Sequence, residues 1–399
     1  MTDADVIIVG AGPAGLSAAT ELRRLGVARV TVLDREPTPG GIPRHCGHSP
    51  YGMREYRRLM SGPAYARRLA KEATDAGATI LTGTTVTALH PEGRLSLTSD
   101  DGPRDLTARI VLLAMGARET PRAPRLIGGT KPGGILNTGA LQGLAYLEHK
   151  RPFARPLILG TELVAFSALL TCRHIGARPV GMVEPGPRTT ARWPAALLPR
   201  ALGVPLWTDT TLDAIEGYRR VTDVILTRNR RSFRVPCDGV IITGGFRPES
   251  ALLATSHLSR DPHSGGPVID GWGRCSDSSY FAAGNLLRAV ETAGWCWAEG
   301  RATAAAIARA LKGDLPAPTA PITLTGDALK YVVPQIPTPA ATTHTRLQLR
   351  LTRPAQGRLI LRVDGAETAS LTLSSGPERR IILPLPPAGA HTEILFEET

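Results

Sequence analysis

A short apolar run, Asp5 to Val9, leads directly into Gly10-Ala11-Gly12-Pro13-Ala14-Gly15, and this junction constrains the fold more than any other feature of the chain. The run is rich in β-branched residues and reads as a strand. Leu16 to Leu25 reads as a helix, with Leu16, Ala19, Leu22 and Leu25 recurring near one face, and Gly26 ends it. Arg29 to Leu33 reads as a second strand, closed by Asp34 and Arg35. This is a βαβ unit with a glycine-rich turn. Gly10 permits the tight turn, Gly12 lets backbone approach a pyrophosphate, and Gly15 lets helix and strand pack closely. The free N–H groups at the helix N-terminus complement the phosphates. Asp34 lies 19 residues beyond Gly15, where an acid accepts hydrogen bonds from an adenosine ribose.

Such a unit can hold NAD or FAD, and three later segments favour FAD. Gly40-Gly41 follows the acid across a short Pro-containing link. Ile110 to Ala114 is an apolar strand running into Met115-Gly116-Ala117-Arg118. Tyr280-Phe281-Ala282-Ala283-Gly284-Asn285 precedes a small-residue helix that begins near Gly294. In content and order these segments resemble the two-dinucleotide-domain flavoproteins, the class of glutathione and thioredoxin reductases, over roughly residues 5 to 312. The resemblance implies an α/β fold of two Rossmann-like domains, the second inserted in the first. It gives an FAD-binding domain over 1–120 and 240–313, with a second nucleotide-binding-like domain over 121–239. It further implies that Ala114 and Gly116 return the chain to FAD and that Gly284 and Asn285 touch the ribityl-phosphate part. The family motif usually ends in Asp; Asn285 can still hydrogen-bond a hydroxyl but brings no charge.

Arg155 to Leu159 reads as a strand, followed by Gly160-Thr161-Glu162-Leu163-Val164-Ala165 and a helix through Arg173. The family places its NAD(P)H turn here. Gly160 fits the first glycine and Ala165 can replace the third, but Glu162 stands on the second. Two like charges about 4 Å apart repel by about 1 kcal/mol in water and about 4 kcal/mol at an effective dielectric near 20. The turn is therefore expected to bind NAD(P)H poorly. Glu184, at the end of the next strand, would suit a ribose; alternatively Glu162 caps or solvates a domain that serves as scaffold.

Family members often carry a reactive dithiol after the first Gly-Gly. Here Gly41 is followed by Ile42-Pro43-Arg44-His45-Cys46-Gly47-His48, with one thiol and two histidines, so dithiol exchange is excluded. This loop, Gly134 to Ala140 and the Gly284-Asn285 variant are similar to the nucleotide-domain subunits of opine oxidase, hydroxyproline and proline dehydrogenases and hydrogen cyanide synthase. That resemblance implies a partner flavin subunit that oxidises an amino or imino acid. His45 and His48 are candidate bases or substrate ligands, or structural hydrogen-bonders. Cys46 is reactive if its pKa is lowered, and otherwise a bystander. Trp295 either covers the isoalloxazine or packs in the core, and the helix that follows is expected to aim its N-terminus at the flavin's pyrimidine end.

The net charge of +12 invites a nucleic-acid reading. Against it, the cations are 42 Arg and 5 Lys in an Ala/Gly/Pro-rich chain, and they are scattered. The densest group, Arg228, Arg230, Arg231 and Arg234, lies in an expected hairpin, read as a solvated turn or an acidic-partner patch. No two of the five cysteines form a CxxC pair, and no metal site is expected. No apolar run is long enough to span a bilayer. The strand begins within a few residues of Met1 without a leader-like segment, so a cytoplasmic protein is expected.

Beyond Lys312 the composition changes. Residues 314–345 read as a Pro/Ala-rich linker. From 346 to 399, alternating runs separated by Gly or Pro read as an antiparallel β module, which either docks a partner or covers the flavin domain. The combined expectation is an FAD-dependent subunit of a heteromeric amine or imino-acid dehydrogenase. The alternatives are a stand-alone NAD(P)H-dependent flavin reductase and a non-catalytic flavin-bound scaffold.

Overall fold

A computed structural model describes residues 2–191, 194–338, 340–387 and 391–399. The first domain is built on β1 (Ala4–Val9), α1 (Pro13–Arg24), β2 (Val30–Leu33), α2 (Gly62–Asp75), β3 (Thr79–Leu81), β4 (Thr85–Leu89), β5 (Arg94–Ser99) and β6 (Gly102–Leu113). β1 pairs in parallel with β2 and with the C-terminal half of β6, so that Val9 lies opposite both Leu33 and Leu113. The N-terminal half of β6 instead runs antiparallel to β5, which pairs with β4. Val6, Ile7 and Ile8 are fully buried, because helices and the antiparallel meander cover both faces of the parallel part. α1 stops at Arg24, so Leu25 is its cap residue and stays exposed, contrary to its expected place on the buried face.

The second domain holds β7 (Ile135–Asn137), β8 (Pro156–Leu159), α3 (Leu163–His174), β9 (Gly181–Val183) and β10 (Leu206–Trp207). A meander follows, β11 (Thr210–Gly217), β12 (Val221–Arg228) and β13 (Arg231–Pro236), and then β14 (Gly239–Ile242). Its parallel sheet has the order β10-β9-β8-β14-β7. The arginine cluster lies on the expected β12–β13 hairpin, with Asn229 and Arg230 at positive φ in the turn. Leu157 lies opposite Val240, so residues 240–242 belong to this sheet, contrary to the expected start of the first domain's second segment at 240. The chain crosses between domains on a two-stranded pair, Ala117–Arg118 with Arg247–Pro248.

The return to the first domain is made by β15 (Tyr280–Ala282), which joins β6 with Ala282 opposite Leu113, and by α4 (Ala293–Ala310). α4 lies close on α1 because Gly300 has no side chain; a Cβ there would overlap the Ala14 carbonyl oxygen. The Ser17 hydroxyl donates to the Trp297 carbonyl at 2.8 Å across the same contact.

The C-terminal module comprises β16 (Thr323–Thr325), β17 (Leu329–Val333), β18 (Arg346–Leu351), β19 (Ala355–Val363), β20 (Ala366–Ser375), β21 (Ile381–Pro384) and β22 (Thr392–Glu398). Its sheets, β16-β22-β19-β20 and β17-β18-β21, enclose one apolar core that includes Leu349, Leu359, Leu383 and Phe396. β16 and β17 fall within 314–345, which is therefore not a linker throughout. The Pro-rich composition there masked two strands: β16 pairs with β22 near the far end of the chain, with Thr323 opposite Glu393, and β17 pairs with the next strand, β18. Among the described residues no helix is long and apolar enough to cross a membrane.

Candidate functional site

Because β1, β6 and β15 end in register, the segments after Val9, Leu113 and Ala282 emerge at one edge of the parallel sheet. In an open α/β sheet, the crevice outside the carboxyl ends of the strands is where ligands bind. The expected motifs interlock there. A Cβ on Gly10 (φ +109°) would lie 2.5 Å from the Ala114 carbonyl oxygen, and one on Gly15 would overlap the Gly10 carbonyl. A Cβ on Gly41 (φ +61°) would lie 2.8 Å from Gly12 Cα, and one on Gly284 would lie 2.9 Å from Ala14 Cβ. Gly12 differs: a Cβ there meets no protein atom within 4 Å. The Cβ-less face of Gly12 thus opens onto space and not onto packing. α1 also starts with Pro13 and without a side-chain cap, so no side chain competes for its leading amides. Those features fit a pyrophosphate.

Asp34 closes β2 and accepts the Ala11 N–H at 2.7 Å and the Glu36 N–H at 2.9 Å. It holds the glycine turn in place, and each oxygen keeps a lone pair for a ribose hydroxyl. Arg35 beside it is exposed, and Gly116 (φ +74°) has open space at its Cβ position. Asn285 has both polar atoms engaged. Its Nδ2 donates to the Glu291 carbonyl at 3.1 Å and its Oδ1 accepts the Glu291 N–H at 2.6 Å. Its amide shapes the loop that leads into α4.

Trp295 does not pack in the core. It is 38% exposed, held between the Arg54 guanidinium, 3.9 Å from the ring centroid, and that of Arg380 at 4.2 Å. Arg54 belongs to a short helix, Met53–Tyr56, and Ile42–His45 forms a 3₁₀ turn, so the segment after Gly41 is more ordered than its Gly/Pro content suggests.

The three candidate catalytic residues lie close in sequence but point to different surroundings. The Cys46 thiol is buried and donates to Gln142 Oε1 of the second domain at 3.2 Å. Gln142 Nε2 in turn donates to Ser167 Oγ at 2.7 Å. Burial pushes the Cys46 thiol up to about 11, so it is not a thiolate at neutral pH. All five cysteines are buried and free. We expect Ellman's reagent to titrate less than one thiol per native chain at pH 8 and all five in guanidinium; rapid labelling of Cys46 in the native protein would contradict its burial.

Burial, with the Arg44 charge second, pushes His45 down to about 4. Its Nε2 is buried without a hydrogen-bond partner among the described residues. His48 is also lowered by burial and packs near Tyr51, ring centroids 5.9 Å apart. Because the folded-state pKa of His45 lies below its unfolded value, the unfolded chain binds the extra proton between pH 6.5 and about 4. Stability therefore falls as pH drops through that window. We expect His45→Gln to lessen the loss between pH 6.5 and 4.5 in urea titrations; an unchanged pH slope would count against this.

In the second domain, Glu162 turns into its own nucleotide turn. Its Oε2 accepts from Thr243 Oγ1 at 3.0 Å and lies 2.6 Å from where a Cβ of Gly160 (φ +116°) would be. Its Oε1 fills the space beside Gly244. Burial raises its carboxyl pKa. Arg125 closes the same corner, donating to the Thr243 and Gly244 carbonyls at 2.7 and 2.6 Å. Ala165 is buried in α3. Glu184 is buried too. It accepts from Thr161 Oγ1, from the Gly186 N–H at 3.0 Å and from Thr190 Oγ1 at 3.3 Å. Both acids expected near a nucleotide are thus bonded within the domain.

Residues 4–300 match the model of the family described as pyridine nucleotide-disulphide oxidoreductase. An opine oxidase subunit from Rhizobium meliloti (strain 1021) is 31% identical over 182 residues, 45% of this chain and 38% of that one. The chain thus spans well under half of that relative. Thioredoxin reductase of Treponema pallidum (strain Nichols) is 30% identical over 295 residues, 71% of this chain and 89% of that one. Among solved structures, thioredoxin reductase of T. acidophilum superposes with a TM-score of 0.63 at 21% identity, covering 77% of this chain and 98% of that chain. The chain belongs to the pyridine nucleotide-disulphide oxidoreductase family, flavin oxidoreductases that typically bind FAD, and numbers subunits of opine oxidase among its homologues.

Proposed function

We propose that this chain binds FAD in the first domain and passes electrons as one subunit of a heteromeric amine or imino-acid dehydrogenase. Bound FAD would supply the redox chemistry. The chain's own residues bind and orient it: Gly12, Pro13, Ala14 and the start of α1 face the pyrophosphate, Asp34 the ribose, Gly116 leaves open space, and Gly41, Ala114 and Gly284 interlock to hold the cradle together. The observation that carries the reading is the contrast between the two turns. Gly12 opens onto free space, whereas Glu162 lies folded against Gly160 and Gly244. A nucleotide phosphate entering the second turn must displace a partly buried carboxylate and meet its charge. Electrons are then better supplied by a partner or an organic donor than by NAD(P)H. The kinship with an opine oxidase subunit supports the role within a larger complex.

The 30% identity to a thioredoxin reductase favours the alternative, a stand-alone NAD(P)H-dependent reductase. Stopped-flow absorbance distinguishes them. We expect micromolar NADH or NADPH to bleach the flavin of the wild-type protein slowly. Glu162→Gly should bind the nucleotide about tenfold more tightly, the ratio given by about 1.4 kcal/mol of relieved repulsion. Fast bleaching of the wild type would overturn the proposal. Purification from the native source should also yield an amino-acid-oxidising flavin subunit in stoichiometric amount.

A further inference from the structure

One face of the sheet β17-β18-β21 packs into the sandwich core through Val332, Leu347, Leu349, Leu351 and Leu383. On β17 and β18, Tyr331, Val333, Gln348 and Arg350 alternate with these and turn to the flavin domain. Tyr331 and Val333 pack with Leu286 and Leu287. Arg350 Nη2 donates to the Val290 carbonyl at 2.9 Å and lies 3.5 Å from Glu291 Oε1. Arg380 Nη1 is 3.2 Å from Glu291 Oε2. Gln348 Oε1 accepts from Arg288 Nε at 3.0 Å, and His344 Nδ1 lies 3.6 Å from Glu299 Oε1.

These contacts reach further on the other side of the seam. The backbone of Glu291 holds both polar atoms of Asn285, and Glu299 Oε2 accepts the Gly284 N–H at 2.8 Å. Three side chains of the C-terminal segment, His344, Arg350 and Arg380, are thus one residue away from Gly284 and Asn285, and Gln348 reaches them through Arg288 and Glu299. The side chains of Arg288, Glu291, Glu299 and Arg350 are at most 10% exposed. An apolar seam of this shape would join the module at lower desolvation cost. A charged seam selects one arrangement of the loop and fixes charges beside it.

We propose that the C-terminal module is a wall of the flavin site, and that Arg350 and Arg380 are positioning residues that clamp Glu291 and thereby set the 284–292 segment and the potential of the flavin. It rests on the reading that FAD occupies the first domain. A reduced flavin carries more negative charge than an oxidised one, so the balance of fixed charge in this segment biases the couple. Removing the Glu291 carboxylate favours reduction, and removing the Arg350 guanidinium opposes it.

The test is the midpoint potential of the FAD-loaded full chain, measured by reduction against reference dyes, with thermal unfolding recorded alongside. Glu291→Gln should raise the potential and Arg350→Gln lower it. Each should change the reduction equilibrium about tenfold, about 30 mV for a two-electron couple. Both variants weaken the seam and lower the unfolding temperature; a loosened seam alone would move both potentials in one direction, so opposite signs report the fixed charges that the seam holds beside the flavin. Arg380→Gln, on the more exposed edge, is expected to follow Arg350→Gln and replaces it if that variant does not fold. Potentials within about twofold of wild type in that equilibrium, or shifts of the same sign, would overturn the proposal and leave the seam as a structural joint. Colourless wild-type protein that takes up no FAD would end the cofactor reading together with this one.

Discussion

Gly12→Ala should remove the flavin from this protein and leave the fold as it is. Gly12 has φ −83° and ψ −176°, which alanine adopts freely, and a Cβ there touches no protein atom. Its only expected neighbour is the pyrophosphate. Losing that close approach should cost about 3 kcal/mol of binding, roughly 100-fold in affinity. Gly15→Ala, three residues on, should do the reverse. Its Cβ would overlap the Gly10 carbonyl oxygen and touch Ile8, so strand and helix must separate. Overpacking of this kind costs about 1–3 kcal/mol or more. Flavin content by absorbance and apoprotein unfolding by circular dichroism, measured on both variants, separate the effects. If Gly12→Ala lowered the apoprotein's unfolding temperature as much as Gly15→Ala, the open cradle would be wrong.

Arg288→Met is the second large effect. Arg288 is 3% exposed, its Nη2 donates to Glu299 at 2.9 Å, and Nε lies 3.9 Å from Glu291. Removing the guanidinium leaves two buried carboxylates without their shared cation. Breaking a buried pair from one side costs about 3–5 kcal/mol. The paired control is Lys71→Ala, whose partner Asp75 sits one helical turn away in water; that change should cost well under 1 kcal/mol. Urea unfolding followed by tryptophan fluorescence gives both numbers. An Arg288→Met protein as resistant to urea as the Lys71→Ala protein would show that these buried pairs do not stabilise the fold.

Much of the first domain was legible because its signals are local. The strand, glycine turn, helix and acid from Asp5 to Asp34 lie within one βαβ unit, and the close packing that Gly15 permits, against Gly10 and Ile8, falls inside it. The second turn was legible for the same reason. A carboxylate on the middle glycine position reads as an obstruction, and Glu162 does fill the turn. Less was legible where a side chain's partner is far along the chain. Cys46 and His45 read as candidates for chemistry near a flavin. The structure turns the thiol to Gln142, 96 residues away, and burial leaves the thiol protonated and the imidazole neutral. Glu299 was missed altogether. The available signal was a lone acid in an Ala/Gly-rich helix, where a charge that does not face water needs a partner.

The sequence alone determined the βαβ unit, its glycine turn and the β character of the tail, since these follow from short-range periodicity and turn chemistry, while the inserted second domain came from the family resemblance. Only the tertiary structure decided what the tail does. Arg346 to Leu351 alternates basic or polar residues with leucine, a pattern that ordinarily puts leucine inside and charge in water. In the folded chain both faces of β18 are covered, leucines by the sandwich and Gln348 and Arg350 by the loop before α4. Alternation records which residues share a face. Whether that face meets solvent or a buried carboxylate depends on a partner roughly 60 residues away, and no local pattern carries that information.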